Sequence, residues 1–450
     1  MKDSFDLLVV SDATASMGSC KYLAKSVYTT LDNSFLDLDA LRSSIPEILA
    51  LAKLSGAFRR LGVLAYRDYC DPEITTWSGW DADLPEFVKD LTPSGGGDYP
   101  EAAKTALIRG LQAVDKEFGT IILWFADAPP HHCSVNSYNN DVAEKKAFPE
   151  GATDWVKLCH TAVRRKCTVF CFTPSNMGAT QHCFYTLLSE LTGGLCVVSQ
   201  VLSGSSSLIS RLTLGVLMQW MGQPSDLEAV IKEAKAQISR YEVSPLTANP
   251  KPTNETNGSC GYLPPSLKGK PNDTPLLNIL EKSMQVTDVP RGPLATEPSN
   301  LARRFARPEE GKYRDIVYDS LSAVIDSNVH SLTYNPIFGQ LWRAVCKDTS
   351  DRKVQLLNAF SNRIGKVTDP AQKVRLQQWL EESFDASEEI EAMIAQLGPS
   401  SELVYLDLDA DVELTRTELL EVSRSCYAPV LKKVATVFTH LKVCSHSRVH

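Results

Sequence analysis

Six residues of this chain could hold a metal ion, and every one of them offers oxygen. They are Asp12, Thr14, Ser16, Asp98, Glu101 and Asp127. Carboxylate and hydroxyl oxygens suit Mg²⁺, Mn²⁺ or Ca²⁺, whereas zinc sites are built mainly from nitrogen and sulfur. The spacing of residues 12, 14 and 16 lets one extended loop turn three side chains toward one point. Because a divalent cation would convert repulsion among the carboxylates into attraction, we predict a divalent-cation site, with Mg²⁺ favoured over Mn²⁺ and Ca²⁺.

A sheet must position these residues. Five continuous apolar runs predict parallel strands that are covered on both faces: Phe5–Ser11, Arg60–Tyr66, Thr120–Ala126, Cys167–Phe172 and Leu195–Gln200. Helical patterns fill the intervals near residues 17–31, 40–54, 84–91, 100–116, 153–165, 177–191 and 205–221. The short run Ile74–Trp77 predicts an antiparallel edge strand, because its connection to the preceding strand is short. We therefore expect an α/β fold with a doubly wound, mostly parallel sheet and one antiparallel edge strand.

The candidate ligands fall where ligands bind in such folds. In open α/β sheets, ligands bind at the carboxyl ends of strands, where the strand order reverses. Asp12 follows the first predicted strand, and Asp127 follows the third. Asp98 and Glu101 lie in a glycine-rich loop before the helix near residue 100. The sequence thus predicts that all of these side chains meet at one edge of the sheet.

The length of 450 residues exceeds that of one ordinary domain. We expect an α/β domain at 1–222, a helix followed by a proline-rich linker at 223–307, and a mainly α-helical domain at 308–450. Within the last, the segment Tyr334–Trp342 is dense in aromatic and turn-forming residues. Phe338 and Trp342 could fill the helical core, or the segment could be a partner-binding surface; we favour the core.

Composition and charge narrow the class of protein. The net charge is −8, and no run of about 18 apolar residues occurs, so we expect neither a nucleic-acid partner nor a membrane span. A strand that begins at Phe5 leaves no room for a signal peptide. Cysteines such as Cys167, Cys171 and Cys196 lie in apolar runs, as small buried hydrophobic residues do. A cytoplasmic protein is expected, and its oligomeric state is left open.

Simpler interpretations exist for the same residues. Asp98 and Glu101 have the spacing of a capping box, with Pro100 at the start of the helix, and this role competes for the Glu101 carboxylate. The segment from Asp12 to Ser16 could cap the helix that follows. The run of His131, His132 and Cys133 could indicate zinc, but its spacing fits no tetrahedral pattern, and we favour a surface loop.

Three motifs together resemble the metal-ion-dependent adhesion site of von Willebrand factor A (VWA) domains. Asp12-x-Thr14-x-Ser16 resembles that family's Asp-x-Ser-x-Ser/Thr signature, and the residues around Asp127 resemble its third motif. The loop Gly95–Glu101 resembles that of integrin β I-like and hemicentin-like A domains. An aromatic-rich helical region of this kind is similar to those of fungal proteins with A domains, which suggests a fungal source.

The resemblance implies a role for each ligand. Thr14 and Ser16 would bind the metal directly, while Asp12 and Asp127 would act largely through bound water. The fourth ligand would be Glu101, as in integrin β domains, and Asp98 would then serve an auxiliary cation. Alternatively, Asp98 itself would be the fourth ligand. The segment 18–20 replaces the acidic pair that builds an adjacent second site in integrin β domains, so we expect that second site to be absent.

No motif of a nucleotide-hydrolysing, kinase, serine-hydrolase or zinc-protease site occurs, so we expect no enzyme. We expect an intracellular protein-interaction module that binds a partner's Asp or Glu through the metal. The alternative is a regulatory or scaffold subunit of a larger ATPase-, kinase- or ubiquitin-linked assembly, with catalysis elsewhere. Metal-dependent hydrolysis is disfavoured, because only His131 or His132 could serve as a base beside the metal.

Overall fold

The structure, a computed structural model, falls into two compact units, residues 1–300 and 301–450. The residues it describes are 5–17, 38–97, 100–131, 146, 155–177, 181–200, 206–245, 259–260, 275–293, 301–307, 310–348, 350–383, 403–406, 413–415 and 443–444. Among these residues, none of the helices is both long and apolar enough to cross a membrane.

The first unit is built on one mixed sheet. Its strands are β1 (Phe5–Asp12), β2 (Phe58–Tyr66), β3 (Thr75–Trp77), β4 (Thr120–Phe125), β5 (Cys167–Pro174), β6 (Leu195–Ser199), β7 (Ala236–Pro245), β8 (Ser259–Cys260) and β9 (Pro275–Ser283). They lie in the order β3-β2-β1-β4-β5-β6-β7-β9-β8. The central strands β2, β1, β4, β5 and β6 are parallel, and β3 pairs antiparallel with β2. The predicted doubly wound α/β sheet and its antiparallel edge strand are confirmed.

Helices flank this sheet, and most lie within a few residues of the predicted ranges, although the helix predicted near 177–191 begins only at Cys183. They are α1 (Leu38–Ser55), α2 (Leu84–Asp90), α3 (Ala103–Ala113), α4 (Trp155–Arg164), α5 (Cys183–Leu191), α6 (Ser206–Trp220) and α7 (Leu227–Ala234). The core lies between the sheet and the helices, where Trp124 of β4 makes edge-on contacts with the rings of Tyr66, Phe184 and Tyr185. The helix predicted near residues 17–31 lies outside the described residues.

The sheet extends further than the sequence predicts. Residues 236–245 and 275–283, which we expected in a helix and a proline-rich linker, form the antiparallel pair β7 and β9. The helical pattern ends at Lys235, whose φ of 46° is left-handed. The prolines that suggested a linker include Pro245 and Pro275, which face each other at one end of the pair and so remove no hydrogen bond from its middle.

The second unit is mainly helical, as predicted. Its helices are α8 (Leu301–Phe305), α9 (Gly311–Asn328), α10 (Ser331–Tyr334), α11 (Pro336–Cys346), α12 (Asp351–Lys366) and α13 (Pro370–Glu382), and the short strands β10 (Leu403–Leu406), β11 (Glu413–Thr415) and β12 (Val443–Cys444) form a small sheet. Asn335 begins α11 by accepting hydrogen bonds from the N–H groups of Ile337 and Phe338. Phe338 and Trp342 are fully buried, and the Trp342 ring lies 4.9 Å from that of Phe360. The core interpretation of the segment Tyr334–Trp342 is therefore confirmed.

Candidate metal site

The loop after β1 brings three predicted ligands together. Asp12 is the last residue of β1 and is fully buried. Its Oδ1 accepts hydrogen bonds from the Thr14 N–H at 2.8 Å and from the Thr14 hydroxyl at 2.7 Å. The Thr14 and Ser16 hydroxyls lie 2.9 Å apart. The alternating spacing of residues 12, 14 and 16 therefore brings two hydroxyls and one carboxylate together, as the sequence predicted.

Asp127 joins this group from the neighbouring strand. It follows β4, which pairs in parallel with β1 up to the register Ser11 to Phe125. Burial, and after it the charge of Asp127, raise the pKa of Asp12 well above its ordinary value. Burial likewise raises the pKa of Asp127 to about 6, a rise that the nearby Ser16 hydroxyl limits. The two carboxyl groups therefore crowd each other in a region from which water is excluded.

Glu101 reaches the same place from the loop before α3. Its N–H donates to the Pro129 carbonyl at 2.9 Å, and its own carbonyl accepts from the His131 N–H at 3.3 Å. The side chain is 3% exposed. Burial, followed by the charges of Asp12, Asp68 and Asp127, raises the pKa of Glu101 to about 11. Glu101 is thus held against the loop that carries Asp127.

The capping interpretation of this loop is wrong for Glu101. Helix α3 begins at Ala103, and its N-cap residue, Ala102, makes no side-chain capping bond. Pro100 and Glu101 therefore precede the helix, so Glu101 does not occupy the third helical position that a capping box requires. Asp98 lies outside the described residues, so the choice between it and Glu101 as the fourth ligand stays a prediction.

Glycines let the facing loop approach. Gly95 and Gly96 have φ values of 77° and 78°, a left-handed conformation that favours glycine. A Cβ on Gly96 would lie 3.3 Å from both the Glu101 Oε1 and the Thr14 Cβ. The Ala15 N–H donates to the Gly95 carbonyl at 3.4 Å. The loop therefore packs directly over the ligands, and a larger residue at 96 would push against them.

Four carboxylate oxygens at this point are buried and have no hydrogen-bond partner among the residues that the structure describes. They are Asp12 Oδ2, Glu101 Oε2, Asp127 Oδ1 and Asp127 Oδ2. Uncompensated buried charge is costly, so such groups either take up protons or bind a cation. Within the described residues, no three His, Cys, Asp or Glu side chains form a metal site by themselves. A cation here would therefore draw on the Thr14 and Ser16 hydroxyls as well, which is the hard oxygen set that Mg²⁺ prefers.

Sequence reasoning missed a buried pair behind these ligands. His131, expected on a surface loop, is fully buried, and its Nε2 lies 2.7 Å from Asp68 Oδ1. Burial would raise the pKa of Asp68, but hydrogen bonds from His131 and the Tyr69 N–H hold it below its ordinary value. Asp68 lies just past the end of β2, so the rule that ligands gather at strand ends could have found it. His132 and Cys133 lie outside the described residues.

Comparisons with known proteins add a relative and a partial structural match. No protein-family model matches the chain. The chain is 29% identical over 451 residues to an ariadne-like RING finger protein of Acanthamoeba polyphaga mimivirus, covering 97% of this chain and 41% of that protein. The chain thus spans about two fifths of the length of this relative, which gives no support to the fungal source suggested above.

Among solved structures, the chain matches a crystal structure of the SpRpn10 VWA domain. The match covers 42% of this chain and 94% of that one. The two are 11% identical, with a TM-score of 0.25. A score this low does not establish a common fold. The α/β architecture therefore rests on the strand order and register of the chain itself.

Proposed function

We propose that the first unit binds a divalent cation, Mg²⁺ before Mn²⁺ or Ca²⁺. Its ligands would be Asp12, Thr14, Ser16, Asp127 and either Glu101 or Asp98. The observation that carries the proposal is the group of four buried carboxylate oxygens that have no hydrogen-bond partner within the described part of the chain, beside two hydroxyls that lie 2.9 Å apart. A cation bound directly or through water would compensate these buried oxygens together, and the two hydroxyls could join its coordination shell.

The cation would serve to bind a protein partner. Asp12, Thr14 and Asp127 are buried, but Ser16 is half-buried and the glycine loop beside it is exposed, so a partner's side chain can approach from that side. A divalent cation with an open coordination position is a strong acceptor for a carboxylate, and the VWA resemblance implies that a partner's Asp or Glu fills it. The chain itself would then be a binding module without catalytic activity, acting in the cytoplasm.

The second candidate is a regulatory or scaffold subunit of a larger assembly. The printed name of the mimivirus relative, an ariadne-like RING finger protein, favours a ubiquitin-linked assembly over an ATPase- or kinase-linked one. The cation site could serve this role too, as the point where the assembly holds the chain. The two candidates differ in whether partner binding depends on the metal.

Calorimetric titration of Mg²⁺ and Mn²⁺ into the full chain and an Asp12→Ala variant tests the site. We expect one binding event in the wild type and none in the variant, while Asp115→Ala, which changes a carboxylate elsewhere in the unit that pairs with Arg59, binds normally. Partners recovered with the full chain are then compared in Mg²⁺ and in chelator. Loss of partners in chelator supports the binding module. Retention of ubiquitin-transfer proteins in chelator supports the scaffold, and a wild type that binds no cation refutes the site.

A further inference from the structure

A series of hydrogen bonds joins the loops that carry the candidate ligands. The first two are made by Asp71, whose Oδ2 accepts from the N–H groups of Asp68 and Gly96, each at 3.0 Å. The glycine loop is thereby tied to the loop that follows β2. That loop in turn is tied to the start of α3, because the Ala102 N–H donates to the Arg67 carbonyl at 3.1 Å.

The buried pair of Asp68 and His131 continues this series of hydrogen bonds across the edge of the sheet. The His131 Nε2 donates to Asp68 Oδ1 at 2.7 Å, and neither side chain is exposed. The His131 ring also packs against the ring of Tyr69, with centroids 5.1 Å apart. One bond therefore links the segment after β2 with the segment after β4.

From His131 the series of hydrogen bonds leads back to the candidate ligand Glu101. Its N–H donates to the Glu101 carbonyl, and the Glu101 N–H donates to Pro129. These bonds form an isolated parallel bridge between Glu101 and Pro130. Asp127 lies in the same short segment as His131. The side-chain bond between Asp68 and His131 therefore bears on the positions of Glu101, Asp127 and the glycine loop together.

We propose that Asp68 and His131 are positioning residues for the cation site. They hold the glycine loop, Glu101 and Asp127 in one arrangement without contacting the cation, as outer-shell partners do in known metal sites. The effect on cation affinity rests on the proposed function, whereas the joining of the three loops does not. Loss of the bond would let the loops separate and would weaken cation binding by about 10- to 100-fold.

The first test is Mn²⁺ affinity of the full chain, measured by calorimetry and by the electron paramagnetic resonance spectrum of the bound ion. His131→Phe fills the space but cannot donate, and we expect the 10- to 100-fold loss together with a broadened spectrum. His131→Gln keeps a donor at similar reach and should restore affinity to within a few-fold. His182→Phe is the matched control, since His182 is equally buried but bonds Thr173 rather than a loop of the site.

The second test needs no metal. Hydrogen exchange of the Glu101, Ala102 and His131 amides should accelerate in His131→Phe relative to the amides of β5, and return toward wild type in His131→Gln. If His131→Phe does not fold, Asp68→Ala and Asp68→Asn replace the pair, because only the latter keeps an oxygen that accepts from His131.

The outcomes separate the two proposals. A wild type that binds no Mn²⁺ refutes the cation site, and exchange alone then decides whether the loops are joined. A wild type that binds Mn²⁺, together with His131→Phe of equal affinity and unchanged spectrum, overturns the positioning role. Unchanged exchange at all three amides overturns the joining of the loops. An affinity loss of the same size in His182→Phe would show general destabilisation and would also overturn the proposal.

Discussion

Replacing Asp127 by asparagine should stabilise the metal-free protein, although it removes a proposed ligand. Burial raises the pKa of Asp127 from its ordinary value of 3.8 to about 6, and the nearby Ser16 hydroxyl only partly offsets this rise. Above that pH the folded state must carry a buried charge that the unfolded chain carries in water. Asparagine keeps the shape without the charge, and its amide nitrogen can donate to the buried Asp12 Oδ2.

The magnitude follows from the size of the pKa shift. A rise of about two pKa units corresponds to roughly 3 kcal/mol at about 1.4 kcal/mol per unit. Because the folded state binds this proton more tightly than the unfolded chain, the free energy of unfolding falls as pH rises from about 4 to about 6. Above pH 6 both states have lost the proton, and the full penalty is present. Asp127→Asn should therefore match the wild type near pH 4 and exceed it by up to about 3 kcal/mol at neutral pH.

Urea unfolding in chelator at pH 4.5 and pH 7.5 measures this difference. Mn²⁺ at 1,000 times its Kd should reverse the order, because it would stabilise the wild type by about 4.1 kcal/mol and the variant by nothing. The reasoning is refuted if Asp127→Asn is less stable than the wild type at pH 7.5 without metal. It is equally refuted if the difference between the two proteins is the same at both pH values.

Three further changes probe the site and the second unit. Gly96→Ala should lower the free energy of unfolding by about 1–3 kcal/mol and weaken Mn²⁺ binding, because φ is 78° and the new Cβ would lie 3.3 Å from Thr14. The control Gly56→Ala has a similar φ but open space around the new Cβ, so it should show only the backbone strain and bind Mn²⁺ normally. Thermal unfolding and calorimetry compare the two variants. Thr14→Val removes a ligand hydroxyl but keeps the shape, so Mn²⁺ binding should be lost in calorimetry and retained in Thr14→Ser. Trp342→Ala should cost about 3–5 kcal/mol in urea unfolding, because this ring is fully buried, while Val374→Ala at a 60% exposed position should change stability by less than about 0.5 kcal/mol.

The strands of the fold were predictable where the sequence pattern of a segment by itself reflects how that segment is buried. The parallel strands are covered on both faces, so they appear as continuous apolar runs, and β1 to β6 were found within a few residues of their bounds. The pair β7 and β9 was missed because its pairing is not a local property. Residues 236–245 and 275–283 become strands by pairing with each other and with β6 and β8, and the prolines at their ends resemble those of a linker.

The site divides in the same way. Asp12, Thr14, Ser16 and Asp127 were predictable because they follow apolar strands directly, and strand ends gather at one edge of the sheet. The pair of Asp68 and His131 was not, because 63 residues separate them and His131 lies in an irregular segment that looked exposed. No periodic pattern marks such a residue as buried, so only the folded chain shows its partner.

The central claim is that the four unpartnered carboxylate oxygens hold a divalent cation. Anomalous X-ray scattering from crystals of the full chain grown with Mn²⁺ tests it most directly. The account predicts one strong peak between Asp12 and Asp127, within coordination distance of the Thr14 and Ser16 hydroxyls, that disappears in Asp12→Ala. Crystals that bind Mn²⁺ elsewhere or nowhere, with the same four oxygens still unpartnered, would contradict it.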